Sequence, residues 1–111
     1  METVTIGNKT LSVEKKFKGI QDWVDEVIVL VRLTGYQVTD RHVSVFNEPQ
    51  LMVTDHYGHI IFYIEFGTTG GKLCDLDIVV YDEKINFDHN RAYLYSLEQA
   101  KEWWSKAITF L

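Results

Sequence analysis

The chain has 111 residues, of which 46% are hydrophobic and 24% charged, a composition that predicts one globular domain and excludes an intrinsically disordered chain. Sixteen acidic residues against eleven basic ones give a formal net charge of −5, so the chain would repel a phosphate backbone and no direct nucleic-acid partner is expected. No apolar run reaches the roughly 18 to 20 residues that a membrane span needs, so no membrane partner is expected either.

The N-terminal segment predicts a short hairpin. Its first residues, METVTIGNKT, lack the basic start and the apolar run of a secretory signal, so we do not expect a secreted protein. Residues 3–6 and 10–14 are rich in β-branched side chains and flank Gly7-Asn8-Lys9, whose first two residues tolerate a positive φ. This arrangement favours two antiparallel strands.

Residues 18–34 show a helical pattern, with Asp22, Asp25 and Glu26 near its start and Gly35 at its end. Within it, the run VIVLV at residues 27–31 is β-branched and apolar on every side, so a buried strand is the alternative. We prefer the helix, and we expect its second half to be covered on more than one side. The apolar stripe consists of Ile20, Trp23, Val24, Val27, Ile28 and Val31.

The middle of the chain predicts antiparallel strands. Residues 36–46 alternate with a slip in phase at Asp40-Arg41, which indicates a bulged strand or two short ones, and residues 47–50 form a turn. Two hairpins follow, one closed by residues 55–58 and one by residues 67–72. Cys74, the only cysteine, cannot form a disulfide within the chain, which favours a reducing compartment and therefore a cytoplasmic location.

The C-terminal segment predicts an amphipathic helix. Ser96 and Gln99 form a capping box, and apolar residues recur at helical spacing up to Leu111. Trp103 and Trp104 point about 100° apart on such a helix, so we expect Trp104 in the core and Trp103 at its edge or in an interface. The element order predicts a single α+β domain spanning residues 1–111: an N-terminal hairpin and an antiparallel meander of three or four strands, with two helices on one face.

The strand register decides where the acidic residues point, because a slip of one residue moves every side chain to the other face. If Phe66 lies opposite Cys74, the two strands present one fully apolar face, and the other face places Glu65 opposite Asp75. Opposed carboxylates repel one another unless a cation approaches. We therefore predict a docking surface for a protein on this open face, made of Met52, Ile61, Tyr63, Glu65, Asp75, Asp77 and Tyr81.

Two other uses of these acids stay open. The acids could simply provide solubility on a face exposed to water, which is a common property of antiparallel sheets. A divalent cation held by Glu65, Asp75 and Asp77 is the weaker alternative, because the spacing matches no calcium loop. We predict neither a metal nor a cofactor.

Histidines and charged residues in loops form a candidate ligand site. His56 and His59 share one predicted turn, while Asp88, His89 and Arg91 group an acid, a base and a cation before the last helix. No serine or cysteine stands in a recognisable catalytic motif, so we predict no catalytic residue, and incidental turn residues are the simpler interpretation. Arg91 could equally neutralise Asp88.

These observations favour a small acidic cytoplasmic protein-binding module whose target presents a basic surface. An inhibitor of such a target, of the phage counter-defence or toxin-immunity type, is the more specific form of this hypothesis. One alternative is a small enzyme or ligand-binding protein that uses the loop histidines. Another is the subunit of a structural homo-oligomer, with contacts supplied by Trp103 or by an unpaired strand edge at residues 36–46.

Overall fold

The computed structural model describes residues 2–6, 9–14, 17, 19–42, 49–85 and 91–111. Within these residues the chain forms seven strands and two α-helices around one continuous hydrophobic core, and the α+β fold class is confirmed. The elements are β1 (Thr3–Ile6), β2 (Lys9–Val13), α1 (Ile20–Leu33), β3 (Gln37–His42), β4 (Pro49–Thr54), β5 (Ile60–Thr69), β6 (Lys72–Val80), β7 (Arg91–Leu94) and α2 (Leu97–Ala107).

The N-terminal hairpin and the first helix form as predicted. β1 pairs antiparallel with β2, while Gly7 and Asn8 of the predicted turn lie outside the described residues. The run VIVLV is helical, and α1 begins after Gly19, whose backbone N–H donates to the Glu2 carboxylate. The expectation that the second half is covered on more than one side is wrong. Val29 and Leu33 are 54% and 78% exposed, so α1 buries only one stripe.

The sheet has the strand order β1-β2-β6-β5-β4-β3, and one edge of β6 is shared by two partners. β2 pairs in parallel with the start of β6, and β7 pairs antiparallel with its later residues. The predicted meander is therefore the centre of a larger sheet. Strand β7 was not predicted, because four residues after a loop carry too little periodicity to be recognised.

The predicted β5–β6 register is wrong by two residues, although the faces are correct. Phe66 lies opposite Leu76 instead of Cys74, and Glu65 lies opposite Asp77 instead of Asp75. The cause is the turn: Gly70 and Gly71 both have positive φ and close a two-residue connection, and a bulge follows at Gly67/Thr68. A shift of two residues preserves the side-chain alternation, so the apolar face stays intact.

Both helices pack on the apolar face of the sheet, where Phe62 is fully buried. The Phe62 ring contacts the rings of Trp103 and Trp104, at centroid distances of 5.0 and 5.4 Å. Trp104 is buried and Trp103 is partly buried, as predicted. The N-terminus of α2 is also confirmed, because the Ser96 hydroxyl accepts a hydrogen bond from the backbone N–H of Gln99.

The β3–β4 hairpin is more regular than predicted. Asp40 and Arg41 pair with Leu51 and Gln50 in an unbroken register, so the expected irregularity at residues 40–41 does not occur. Pro49 and Gln50, predicted in a turn, belong to β4, while residues 43–48 lie outside the described part. No helix in the described ranges has the length and apolar character to cross a membrane.

Candidate functional site

The face of the sheet opposite the helices carries most of the predicted docking residues. Strand pairing places Met52 beside Tyr63, and Glu65 beside Asp77. Both carboxylates and the Tyr63 ring are partly exposed. We call this surface, formed by the outward side chains of β4 to β7, the open face.

Ile61 was expected to line the open face, and this expectation is wrong. The residue is 3% exposed and belongs to the hydrophobic core. The reason is a shift in register between β4 and β5, because Val53 pairs with Phe62 and Thr54 pairs with Ile60. Ile61 is thereby left as an extra residue, so it cannot contribute to a docking contact.

Two tyrosines extend the open face toward the end of β6. The rings of Tyr63 and Tyr81 lie 5.3 Å apart, and Tyr81 is exposed. Burial raises the pKa of Tyr63 to about 12, and the hydrogen bond with Tyr81 contributes. The Tyr63 phenol is therefore neutral at physiological pH, and each of the two tyrosines presents an apolar ring with a polar edge.

An arginine relieves the repulsion that the sequence predicts. Arg91 Nη2 lies 3.0 Å from Glu65 Oε2, and Gln50 Nε2 donates to Glu65 Oε1 at 3.1 Å. Because the Glu65 side chain is only 18% exposed, both oxygens gain a partner in a partly desolvated place. Arg91, predicted in a loop, is the first residue of β7 and pairs with Glu65. Asp88, the other partner considered for Arg91, lies outside the described residues.

The carboxylates of Asp75 and Asp77 have no ion-pair partner among the described residues. Asp77 Oδ1 is buried and makes no hydrogen bond to any described group. Burial, followed by the charges of Asp75 and Glu65, raises the pKa of Asp77 to about 6, although the charge of Arg91 opposes the increase. The open face therefore keeps an excess of negative charge beyond the Arg91–Glu65 pair.

Gly67 provides the space in which the Asp75 side chain lies. A β-carbon on Gly67 would overlap Asp75 Oδ1, so only glycine leaves the carboxylate in this position. The bulge at Gly67/Thr68 lies directly beside this contact. This contact borders a cleft of about 440 Å³, which is lined by Glu65, Gly67, Thr68, Thr69, Cys74, Asp75, Asp77 and Arg91. We call it the acidic cleft.

The candidate ligand site does not assemble in the described part of the chain. Asp55 Oδ1 accepts hydrogen bonds from the backbone N–H groups of Tyr57 and His59, so the loop between β4 and β5 is a tight turn closed by its own aspartate. His56 and His59 are exposed there and are absent from the lining of the acidic cleft. Arg91 lies at that cleft, and Asp88 and His89 lie outside the described residues.

The described donor groups do not assemble into a cluster that could hold a metal ion. Among the described residues, no group of three or more histidine, cysteine, aspartate or glutamate side chains is placed to hold an ion. Glu65 already has both oxygens engaged. The arrangement is suited to electrostatic attraction and hydrogen bonding.

Sequence reasoning missed three contributors to this face: Gln50, Gly67 and Tyr93. No pattern in the sequence indicates a role for Gln50, because its contact with Glu65 depends on the β4–β5 register. Tyr93 is exposed and lies opposite Asp77 on β7. The alternation in Arg91-Ala92-Tyr93-Leu94 was the only available clue to this strand.

Comparison with known proteins adds no family to this description. No protein-family model matches the chain, and neither a curated protein nor a solved structure matches it. The functional argument therefore rests on the geometry and charge of the open face.

Proposed function

We propose that this chain is a small acidic protein-binding module that docks onto a basic surface of a protein target through the open face. The observation that carries the proposal is the charge left after internal pairing. Arg91 engages Glu65, whereas neither Asp75 nor Asp77 has a salt bridge to a described residue. A cationic side chain from a partner would supply the missing donor.

The surroundings of these acids support docking of a protein surface. Tyr63, Tyr81 and Tyr93 place aromatic rings next to the carboxylates, and interfaces are enriched in such residues. Thr68 and Thr69, which also line the acidic cleft, add small polar groups. Solubility alone would require neither the tyrosines nor a partly buried carboxylate.

Electrostatic complementarity would set the rate and the specificity of this docking more than its affinity. The net charge of −5 would attract a basic target over about 10 Å at 0.1 M salt. We place the interaction in the cytoplasm, with the free thiol of Cys74 as support. Inhibition of the target, as in phage counter-defence or toxin-immunity proteins, is the narrower form of the proposal.

The test is affinity capture from native cell extract with three forms of the full chain: wild type, the Asp75→Lys/Asp77→Lys variant and the Asp25→Lys/Glu102→Lys variant. Each double variant changes the net charge from −5 to −1, but the second alters exposed helical positions away from the open face. Circular dichroism establishes that all three fold.

We expect wild type and the Asp25→Lys/Glu102→Lys variant (the helix variant) to capture the same protein. The Asp75→Lys/Asp77→Lys variant (the open-face variant) should fail to capture it. The captured protein must then bind purified wild-type chain directly, with an affinity that falls as salt rises. Equal capture by all three forms, or capture of nothing by any, would remove the docking role from these acids.

A second candidate function, self-association, is favoured by one observation. Val29 and Leu33 are exposed one turn apart on α1 and form an apolar strip on its outer side. If this strip joins two copies, the mass in solution rises with concentration and Leu33→Lys abolishes the rise. A constant monomer mass eliminates this candidate and leaves the docking proposal unaffected.

A further inference from the structure

Asp77 occupies an unusual electrostatic position on the open face. It lies between two strands, opposite Glu65 on β5 and opposite Tyr93 on β7. Asp75 lies two residues earlier on its own strand, so both carboxylates point into the acidic cleft. Asp77 Oδ1 is enclosed by protein and receives no hydrogen bond from any described group.

A carboxylate in this position is poorly compensated when it is ionised. The charged and titratable groups that face it are Glu65 from β5, Arg91 and Tyr93 from β7, and Asp75 from β6. Arg91 is the single cation of this set, and its guanidinium is bonded to Glu65. A protonated carboxyl, in contrast, is neutral and has an O–H group to donate, with the Asp75 carboxylate as a neighbouring acceptor.

We propose that Asp77 is a proton-operated switch that changes the charge of the acidic cleft in weakly acidic solution. The proton binds to a carboxylate oxygen of Asp77 and is released to water, so no other reactant is required. Binding of the proton to Asp77 is a property of the isolated chain. The effect of this proton on a partner rests on the proposed function, because only a docked cation would interact with the changed charge.

The titration range follows from the surroundings. Burial, which is the largest cause, and the charge of Asp75 together raise the pKa of Asp77 to about 6, against the opposing charge of Arg91. An unperturbed aspartate titrates near 4, so Asp77 would take up its proton about two pH units above such a group. The switch would therefore operate between about pH 5 and pH 7.

The consequence for docking is a change of charge at the point of contact. Above the transition, the cleft carries Glu65, Asp75 and Asp77 against Arg91, and below it Asp77 is neutral. A cationic partner would bind the ionised form better, and by linkage it would lower the pKa of Asp77 when bound. Acidification would thus release the partner.

The direct test is a carbon-detected NMR titration of the side-chain carboxyl groups in the full chain between pH 3 and pH 8. We expect the Asp77 carboxyl carbon to titrate with a midpoint of about 6. Asp75→Asn removes the neighbouring charge with little change of shape, and it should lower the Asp77 midpoint by roughly half a unit or more. Asp77→Asn should abolish this titration and confirm the assignment.

An Asp77 midpoint near 4 in wild type would overturn the proposal without any variant. An Asp77 midpoint that is insensitive to Asp75→Asn would overturn the role of the cluster. If Asp77 titrates near 6 but the open-face variant still captures the same protein as wild type, the proton site stands and the proposed docking function fails. The two hypotheses are thereby tested separately.

Discussion

At the scale of single residues, the open face depends on what stands next to each carboxylate. Glu65 is held by Arg91 and Gln50, whereas one oxygen of Asp77 receives no hydrogen bond from the part of the chain that the structure describes. A carboxylate is thus neutralised at one position of this face and lies beside other negative charges at another. We expect removal of the cation that pairs with an acid to lower the free energy of unfolding clearly only where the acid is largely buried.

Arg91→Gln tests this expectation. It removes the cation from Glu65, which is only 18% exposed, and should lower the free energy of unfolding by about 1–2 kcal/mol. Lys101→Gln is the matched control, because Lys101 pairs with Glu26 where both side chains are well exposed, and its cost should stay within about 0.5 kcal/mol. Urea unfolding of both variants gives the comparison. Equal costs would show that the burial of Glu65 has no energetic role.

Gly67→Ala tests the contact between Gly67 and the Asp75 side chain. The new methyl group would displace the carboxylate, and we expect a loss of about 1 kcal/mol in unfolding free energy. Because the clash involves only the end of a side chain, Asp75→Ala in the same chain should remove most of the loss. A double-mutant cycle measured by urea unfolding reports the coupling. Additive costs would contradict the close approach.

At the scale of elements, the helices follow from sequence patterns within one segment, whereas strand pairing depends on residues far apart in the chain. The helical spacing of residues 20–33 and the capping signal at Ser96 each lie within one segment, and both helices were predicted. Strand β7 and the parallel pairing of β2 with β6 join residues far apart in the chain, and neither was predicted. The candidate site was half predictable for the same reason: the acids lie on β5 and β6, but Arg91 reaches them through β7.

Ser96→Ala tests the start of α2. The hydroxyl accepts from the backbone N–H of Gln99, and its loss should cost about 1 kcal/mol. Ser105→Ala changes an exposed serine inside the same helix and should be neutral or slightly stabilising, since alanine is the better helix former. Thermal unfolding of the two variants distinguishes capping from a general effect of serine replacement. A neutral Ser96→Ala would contradict the cap.

At the scale of the whole molecule, the charge of the open face is coupled to folding. The pKa of Asp77 is about 6 in the folded chain and near 4 in the unfolded chain. Protonated Asp77 therefore contributes to the free energy of unfolding. This contribution is fully present below the unfolded pKa and is lost as the pH rises through about 6. The fold thus tolerates a cost at neutral pH that a bound cation would relieve.

Asp77→Asn gives a measurable consequence of this coupling. Relative to wild type, the variant should gain about 1 kcal/mol of stability between pH 5 and pH 7.5, a value reduced because Asp77 is partly exposed to solvent. Urea unfolding of both forms at the two pH values provides the difference. Asp82→Asn is a control at a partly exposed aspartate whose Oδ1 accepts from the Lys84 N–H. A difference between wild type and Asp77→Asn that does not change with pH would contradict the coupling.

The most direct test of the docking account is the dissociation constant of the captured protein for the purified chain, measured by calorimetry for wild type and the two double variants. The account predicts that Asp75→Lys/Asp77→Lys weakens binding by about 100-fold or more, because two attractive contacts become repulsive. The Asp25→Lys/Glu102→Lys variant should bind within a few fold of wild type, since its equal change in net charge lies away from the open face. Equal weakening by both variants would show that only net charge matters and would contradict a docking site at the acidic cleft.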